Sequence, residues 1–418
     1  MLFAVKSFCV YESFMRKKFL SQWSPYPITE PLPSECVFGQ LILLEEQSLE
    51  LQLQTSEKIS HFKLLENLNL EGFSPFEVLK PGDKIALRVN AELNKVENIW
   101  LLAPNLKQTY KSISSTAVNW YKFQQSVREF FINHQFLETT TPTLVQNPGM
   151  EPHLQSFQTQ WKFGEASKNL FLPTSPEIHL KKLLSQGLEN IFEIKSCFRN
   201  EESSPIHTPE FTMLEWYRAY VGLEAIECDI KNLLSELTQK PVVIHKYHLR
   251  EFYESYFKAD WSEIFDYQTL KQRAHKQGFS SSSLTWNDLF SWFQVTVVEP
   301  ELQKIDQPVL LYGFPDLQPS LARSQNGESE RFELYWKGVE LANAYHELND
   351  PIVQRQRWLE DLNERQRLGL QVYELDEEFL ESLEQGMPPS SGIALGLERL
   401  YMVIHNIEDI NSLRPFKN

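Results

Sequence analysis

Apolar positions along this chain follow three rhythms. Between Cys36 and about Leu102 the runs VFGQLILL, LELQLQ, DKIALRV and VENIWLLA are short and rich in Val, Ile and Leu. Such runs, separated by turn residues such as Pro81-Gly82-Asp83, predict strands, and several strands in so short a stretch predict a small OB-like barrel. Pro25, Pro27, Pro31 and Pro33 make the approach to them extended. Pro104 marks a boundary, and beyond it the rhythm becomes helical. In TAVNWYKFQQSVREFFINH, Val118, Phe123, Val127, Phe130 and Phe131 predict one apolar face. FLETTTPTL then reads as β-prone up to Pro142.

The third rhythm has period two. FEIKSCFRN and EFTMLEWYRAY flank a polar loop holding Pro205 and Pro209, which predicts an antiparallel pair with a long connection. Alternation puts Phe211, Met213, Glu215 and Tyr217 on one face and Thr212, Leu214, Trp216 and Arg218 on the other. FELYWKGVELANAYHELND carries Glu340 and Glu347, 347 − 340 = 7 residues apart, with Asn343 between them. An odd spacing sends them to opposite faces of a regular strand, so a bulge or turn is needed to bring them together. Finally, GIALGLERLYMVI sets Gly392, Ala394 and Gly396 before an apolar helical pattern bearing Arg399. Small residues let backbone approach a ligand closely.

Length and composition narrow the field. A chain of 418 residues fits one large domain and one smaller, divided as 1–104 and 105–418. The formal net charge of −16 argues against a non-specific nucleic-acid binder, and the Arg16-Lys17-Lys18 run reads as a solvated arm. Cys9, Cys36, Cys197 and Cys228 form neither a CxxC pair nor a disulfide-like spacing, which points to a reducing, cytoplasmic setting without structural zinc. No apolar run reaches the roughly 20 residues that span a membrane. Met1 and Met15 are both candidate starts.

Taken singly, the polar positions have plain alternatives. Arg199 and Glu201 could be a phosphate clamp with an ordering carboxylate, or cross-strand ion pairs on a half-exposed sheet. The small residues from Gly392 to Gly396 could equally serve close packing of a helix on a sheet. Glu340, Asn343 and Glu347 suit Mg²⁺ or an ammonium group, or simply end a strand. No GxGxxG or GxxxxGK[ST] loop is present, so a nucleotide would need another cradle.

Taken together and in order, FRNEES with PEFTMLEWYR (Phe198 to Arg218), TSPEIHLKKLL (Thr174 to Leu184), ELANAYHEL (Glu340 to Leu348) and the Gly392 stretch resemble class II aminoacyl-tRNA synthetases of the lysine type. The resemblance is strongest to the branch of that family that modifies elongation factor P, and it runs from about Asn105 to the C-terminus. It implies an α+β fold, with a six- or seven-stranded antiparallel sheet flanked by helices behind the small β-barrel-like domain. The helix and Pro142 resemble motif 1 and imply a homodimer.

The implied reaction is activation of lysine by ATP with Mg²⁺ through an acyl-adenylate. Arg199 should hold the α-phosphate and Arg399 the γ-phosphate. Asn200, Glu201, Thr208, Glu340, Leu341 and Gly396 should meet ATP, with Glu340 and Glu347 as the candidate Mg²⁺ ligands. Ser175, Glu177, Tyr217, Glu347 and Ala394 should line the lysine pocket, where carboxylates offset the lost hydration of an ammonium. Thr208 stands where the family has Asn, which puts its ATP contact in question, and Glu398 replaces an Asp. His207 is read as a loop contact rather than a base. Three acceptors or roles compete: a lysine of elongation factor P, tRNA, and an idle synthetase-like regulator. The complete Arg199, Glu201, Glu340, Glu347 and Arg399 set argues against the last. Ala394, where tRNA-charging relatives carry Gly, suits (R)-β-lysine, whereas an OB-like N-terminal module resembles the anticodon-binding domain of lysyl-tRNA synthetases.

Overall fold

A computed structural model describes residues 16, 36–45, 50–55, 59–64, 68, 70, 74–90, 95–105, 115–152, 154–200, 203–279, 284–317, 321–414 and 416. The chain divides into two compact units, Met1–Ile113 and Ser114–Asn418. Among the described residues no helix is long and apolar enough to cross a membrane.

In the first unit, β1 (Cys36–Glu45), β2 (Glu50–Gln54), β3 (Ile59–Leu64), β4 (Lys84–Asn90) and β5 (Lys95–Ala103) close into a barrel in the order β1-β2-β3-β5-β4. Alternation fills it: Leu51 and Leu53 of β2 point in with Leu41, Ile85, Leu87, Val96 and Leu101. The sequence pattern missed β3 because ISHFKL has only Ile59, Phe62 and Leu64 as apolar positions. Arg16 departs from the solvated arm expected of it. Its guanidinium pairs with the fully buried Asp83 at 2.7 Å, and Asp83 also accepts from the backbone N–H of Lys80 and Asn105 at 2.8 and 2.6 Å. Lys17, Lys18, Met1 and Met15 lie outside the described residues.

The second unit opens with α1 (Ser115–Asn133), whose buried face is Ala117, Trp120, Phe123, Val127, Phe130 and Phe131, with Val118 only half-buried. β6 (Leu137–Glu138), β7 (Gln158–Phe163), β8 (Ala166–Phe171), α2 (Glu177–Ser185), β9 (Asn190–Phe198), β10 (Glu210–Ala219), α3 (Leu223–Thr238) and β11 (His245–His248) follow. Residues 249–302 are mainly short helices around an aromatic core that includes Tyr253, Trp261, Phe290 and Phe293. Then come β12 (Val309–Tyr312), β13 (Ser324–Gln325), β14 (Glu328–Ser329), β15 (Arg331–Trp336), β16 (Val339–His346), α4 (Pro351–Arg367), α5 (Glu377–Glu384), β17 (Ser390–Gly396) and α6 (Leu397–His405).

Eight strands form one sheet, β11-β12-β15-β16-β17-β10-β9-β6. The six from β12 to β9 are antiparallel. The edge pairs β11–β12 and β6–β9 are parallel, which adds to the six or seven antiparallel strands expected. One face of this sheet is apolar: Phe192, Leu214, Trp216, Phe332, Leu334, Ala344, Ile393 and Leu395 pack in one core with residues of α1, α3 and α6. Phe131 stacks on Phe192 with centroids 4.9 Å apart and meets Trp216 at 5.1 Å. The Trp216 indole N–H donates to Asp229 of α3 at 3.2 Å, so its one polar atom is satisfied.

Candidate active site

The opposite face of the same strands is polar. Register sets Tyr217 beside Gly392 and Gly392 beside Tyr345; Glu215 beside Ala394 and Ala394 beside Asn343; and Met213 beside Gly396. The small residues of β17 thus form a trough between the large polar side chains of β10 and β16. This is why small residues alternate with Ile393 and Leu395, which face the core. Gly392 is required by packing: a Cβ there would stand 2.2 Å from the Tyr217 ring and 2.7 Å from Glu347 Oε1. At Gly396 a Cβ would be 3.6 Å from Arg399 Cδ, an ordinary contact, so the protein itself does not demand that glycine.

Over the trough lies a cavity of about 260 Å³. One end is cationic. Arg199 follows β9, its backbone N–H donating to Pro209 O at 2.9 Å, and its guanidinium lies 5.1 Å from the Phe211 ring centroid. Arg399, in the first turn of α6, donates to Glu340 O at 3.1 Å and contacts His207 Nε2, while His207 Nδ1 meets Ser204 Oγ at 2.7 Å. Glu398 accepts the Thr212 backbone N–H with both oxygens at 2.8 and 2.9 Å, tying α6 to β10.

The other end is anionic and far better buried. Ser175 Oγ accepts the Glu177 N–H at 3.0 Å, starting α2, and donates to Glu215 Oε1 at 2.5 Å. Tyr217 donates to Glu215 Oε2 at 3.1 Å. Lys181, one helical turn beyond Glu177, is fully buried and places its ammonium 2.5 Å from both Glu177 Oε1 and Glu347 Oε2. Burial alone would lower the Lys181 pKa, but Glu177 and Glu347 outweigh it and hold the amine charged. One ammonium then serves three carboxylates. The surplus negative charge shows in the acids. Burial and then Glu177 push Glu215 well above its usual range. Burial raises Glu347, Lys181 pulls it back and Glu177 adds to the rise, leaving it at about 8.

A third cluster borders the cavity on β15 and β16. Leu334 faces Ala342, but Tyr335 faces Glu340, so Leu341 is a bulge residue. The shift of phase brings Glu340 into the cavity with Asn343 and Tyr345. Next to it, buried Arg331 pairs with Glu333, and Tyr335 donates to Glu333 at 2.9 Å. Burial raises Glu333, Arg331 lowers it and Glu340 raises it again, to about 7.

The family model for tRNA synthetases class II (D, K and N) matches residues 97–418. The chain belongs to this family. Among curated relatives, the elongation factor P–(R)-β-lysine ligase of Haemophilus influenzae (strain PittGG) is 38% identical over 301 residues, 71% of this chain and 92% of the relative. The ligase of the same name from Haemophilus ducreyi (strain 35000HP / ATCC 700724) is 34% identical over 322 residues, 72% of this chain and 97% of the relative. That of Edwardsiella ictaluri (strain 93-146) is 36% identical over 303 residues, 70% and 91% respectively.

In this class II synthetase, Ser175, Glu177, Arg199, Thr208, Glu340, Leu341, Ala394, Gly396 and Arg399 all border the one cavity. Thr208 donates its hydroxyl to Glu210 O at 2.6 Å, so that side chain already has a backbone partner. Tyr217 and Glu347 sit beneath the cavity rather than on its wall, at 3% and 1% exposure. Asn200 bonds through its backbone N–H to Gln155 O at 2.8 Å, and Glu201 lies outside the described residues. Glu340 and Glu347 do not converge. They stand near opposite ends of β16, about 20 Å apart at the usual rise, so they do not share one ion. Glu347 is instead held by Lys181. Lys181 and Glu215 were missed as site residues, although the Glu177–Lys181 spacing is a helical i,i+4 pair and Glu215 shares a face with Tyr217. Glu151, a further wall residue, had no signal at all.

Proposed function

We propose that this chain activates (R)-β-lysine with ATP as an acyl-adenylate and transfers the β-lysyl group to a lysine side chain of elongation factor P. The observation that carries the proposal is one cavity with two arginines at one end and a carboxylate surplus at the other. A β-lysine bears two ammonium groups and one carboxylate. Its ammonium groups supply the positive charge that Lys181 alone does not, and so favour the ionised forms of Glu215 and Glu347 that burial and Glu177 oppose, and its carboxylate is thereby directed towards the arginines. The relatives named above, covered over nine-tenths of their length, are named as ligases of elongation factor P and (R)-β-lysine, which supports the choice of substrate and acceptor.

In the first step the substrate carboxylate attacks the α-phosphorus and pyrophosphate leaves. Arg199 neutralises the α-phosphate, Arg399 the γ-phosphate, and both act by position rather than proton transfer. Among the described residues no group of three or more His, Cys, Asp or Glu is arranged to hold a metal. Mg²⁺ commonly takes one or two carboxylates and completes its shell with phosphate oxygens and water, so Glu340 with its neighbour Glu333 fits it, and Glu347 does not. When bound there it would offset charge on the triphosphate. The Ala394 methyl, between Glu215 and Asn343, sets the width of the trough at the substrate amine, and Ala394→Gly should shift preference towards α-lysine.

A dimer is part of the proposal. Ile132, Leu137 and Leu144, all in the motif 1 segment, are 53%, 54% and 51% exposed, and sedimentation should find a two-subunit species. A second reading, transfer to tRNA, is favoured by the five-stranded barrel of residues 36–103. Labelled β-lysine with ATP and either elongation factor P or total tRNA separates the two. Label on tRNA alone overturns the proposal.

A further inference from the structure

Beside the cavity lies a second chamber of about 180 Å³ for which the activation step has no use. The two share Glu151, Ser175, Glu177 and Tyr345 as a common wall. Beyond that wall the second chamber is bounded by Met150, Ile178, Leu321 and Trp358, with Arg357 and Asp361 contributed by α4. Asp361 is 8% exposed, and its Oδ1 has no hydrogen-bond partner among the described residues. Glu151 Oε2 is likewise buried without a partner.

The charged groups acting on Asp361 are Glu151, Glu360, Arg357 and Arg365. Both arginines donate elsewhere. Arg365 bonds the carbonyls of Glu151, Leu154 and Gln371 at 2.7, 2.9 and 2.7 Å, and Arg357 bonds Ala322 O and Ser324 Oγ at 2.5 and 3.1 Å. Burial, then Glu151, pushes Asp361 up to about 7. Burial, then Glu177, raises Glu151. Two buried acids, each with one unsatisfied oxygen, on the wall of a chamber also lined by Met150, Ile178, Leu321 and Trp358, describe a receptor for a cation on a methylene stem.

An acyl-adenylate needs a second nucleophile, and the nucleotide occupies the arginine end of the first cavity. The nucleophile must therefore come from another side. We propose that the second chamber admits the acceptor lysine, and that Asp361 together with Glu151 receives its ammonium and takes its proton. This rests on the ligase reading above. Transfer of one proton from the ammonium to the carboxylate pair frees the nitrogen lone pair. The N–C bond forms at the acyl carbon, the C–O bond to phosphate breaks with its electrons going to AMP, and the second amine proton leaves with the AMP phosphate. A carboxylate that titrates near neutrality suits this task. A ribose hydroxyl on a polyanionic tRNA gains nothing from such a chamber.

The test uses the full-length chain and two variants, Asp361→Asn and Leu321→Trp, the second filling the chamber without touching a charge. Pyrophosphate exchange reads activation; transfer from the isolated enzyme-bound adenylate to elongation factor P reads the second step. Both variants should exchange within about twofold of wild type, while Asp361→Asn should slow transfer about 100-fold or more and lose the rise of transfer rate with pH around neutrality. Hydroxylamine, which needs no proton removed before attack, should capture the adenylate equally fast in wild type and Asp361→Asn. Wild-type transfer by both variants overturns the proposal, as does loss of exchange and transfer in equal proportion. If Asp361→Asn does not fold, Leu321→Trp decides alone. A wild-type chain that fails to exchange pyrophosphate, or that labels only tRNA, overturns the ligase reading instead.

Discussion

The two faces of the eight-stranded sheet are built from the same strands yet follow opposite rules. On β10, Leu214 and Trp216 enter an aromatic and aliphatic core, while Glu215 and Tyr217, one peptide bond away, enter a buried ionic cluster. The apolar face gains from every contact it closes. The polar face keeps Glu177, Glu215, Glu347 and Lys181 out of water, and burying charge is unfavourable even when the charges are paired. The apolar face thus offsets the cost of a site whose charges are set in place before the substrate arrives. Substitutions on the first should change stability and leave chemistry alone; substitutions on the second should change both.

The largest effect is expected from Trp216→Ala. It removes a fully buried indole, its packing on Phe131 and its bond to Asp229, and should cost about 3–5 kcal/mol in urea unfolding. Whatever fraction stays folded should bind lysine with unchanged KM. A changed KM with unchanged stability would break the comparison.

Lys181→Met tests the other face. Removing the shared ammonium leaves Glu177 and Glu347 facing each other, which should cost about 3–4 kcal/mol. Adding Glu347→Gln to the same chain should recover part of that loss, because the carboxylate facing Glu177 across the vacated ammonium site is then gone. No recovery in the double variant would mean that Lys181 stabilises by packing alone. Pyrophosphate exchange should be lost in both, unlike in Trp216→Ala.

The faces also differ in how legible they were. Period two in EFTMLEWYRA gave that strand and its two sides, because side-chain direction along a strand is a local property, whereas the small residues at Gly392, Ala394 and Gly396 stood out without announcing the strand that carries them. The bulge at Leu341 was foreseeable from the odd Glu340–Glu347 spacing, but not its position or which glutamate it would reorient. Which charges meet was less visible still. Lys181 comes from a helix, Glu347 from the end of β16 and Asp361 from α4, and only tertiary packing brings such distant segments together. The helices of residues 249–302 likewise meet through aromatic pairs such as Tyr253–Trp261, Tyr253–Phe293 and Phe290–Phe293, which no short period announces.

Gly392→Ala and Gly396→Ala sharpen the comparison within one strand. The first must displace the Tyr217 ring and crowd Glu347, and should cost about 1–3 kcal/mol while weakening lysine binding. The second meets nothing closer than 3.6 Å and should leave the melting temperature in place, raising KM for ATP if a nucleotide lies over it. Equal melting temperatures for the two variants would show that Tyr217 yields easily, and that the trough is less rigid than its neighbours suggest.

The smallest effect is the most specific to the polar face. Glu333, Glu347 and Asp361 stand at about 7, 8 and 7 in the folded chain, each raised first by burial. A folded acid with a raised pKa binds protons that its unfolded form has released, so its contribution is complete below the unfolded value, about pH 4, and is lost as pH rises through the folded value. The melting temperature should therefore fall as pH rises from 5.5 and level off above about 8, once all three acids have ionised in the folded chain. Asp361→Asn should flatten that fall by removing one of the three, an effect on the order of 1 kcal/mol across the window. Trp216→Ala should lower the whole curve without changing its slope. If it is the tryptophan variant that flattens the curve, the division between a face that stabilises and a face that titrates is wrong.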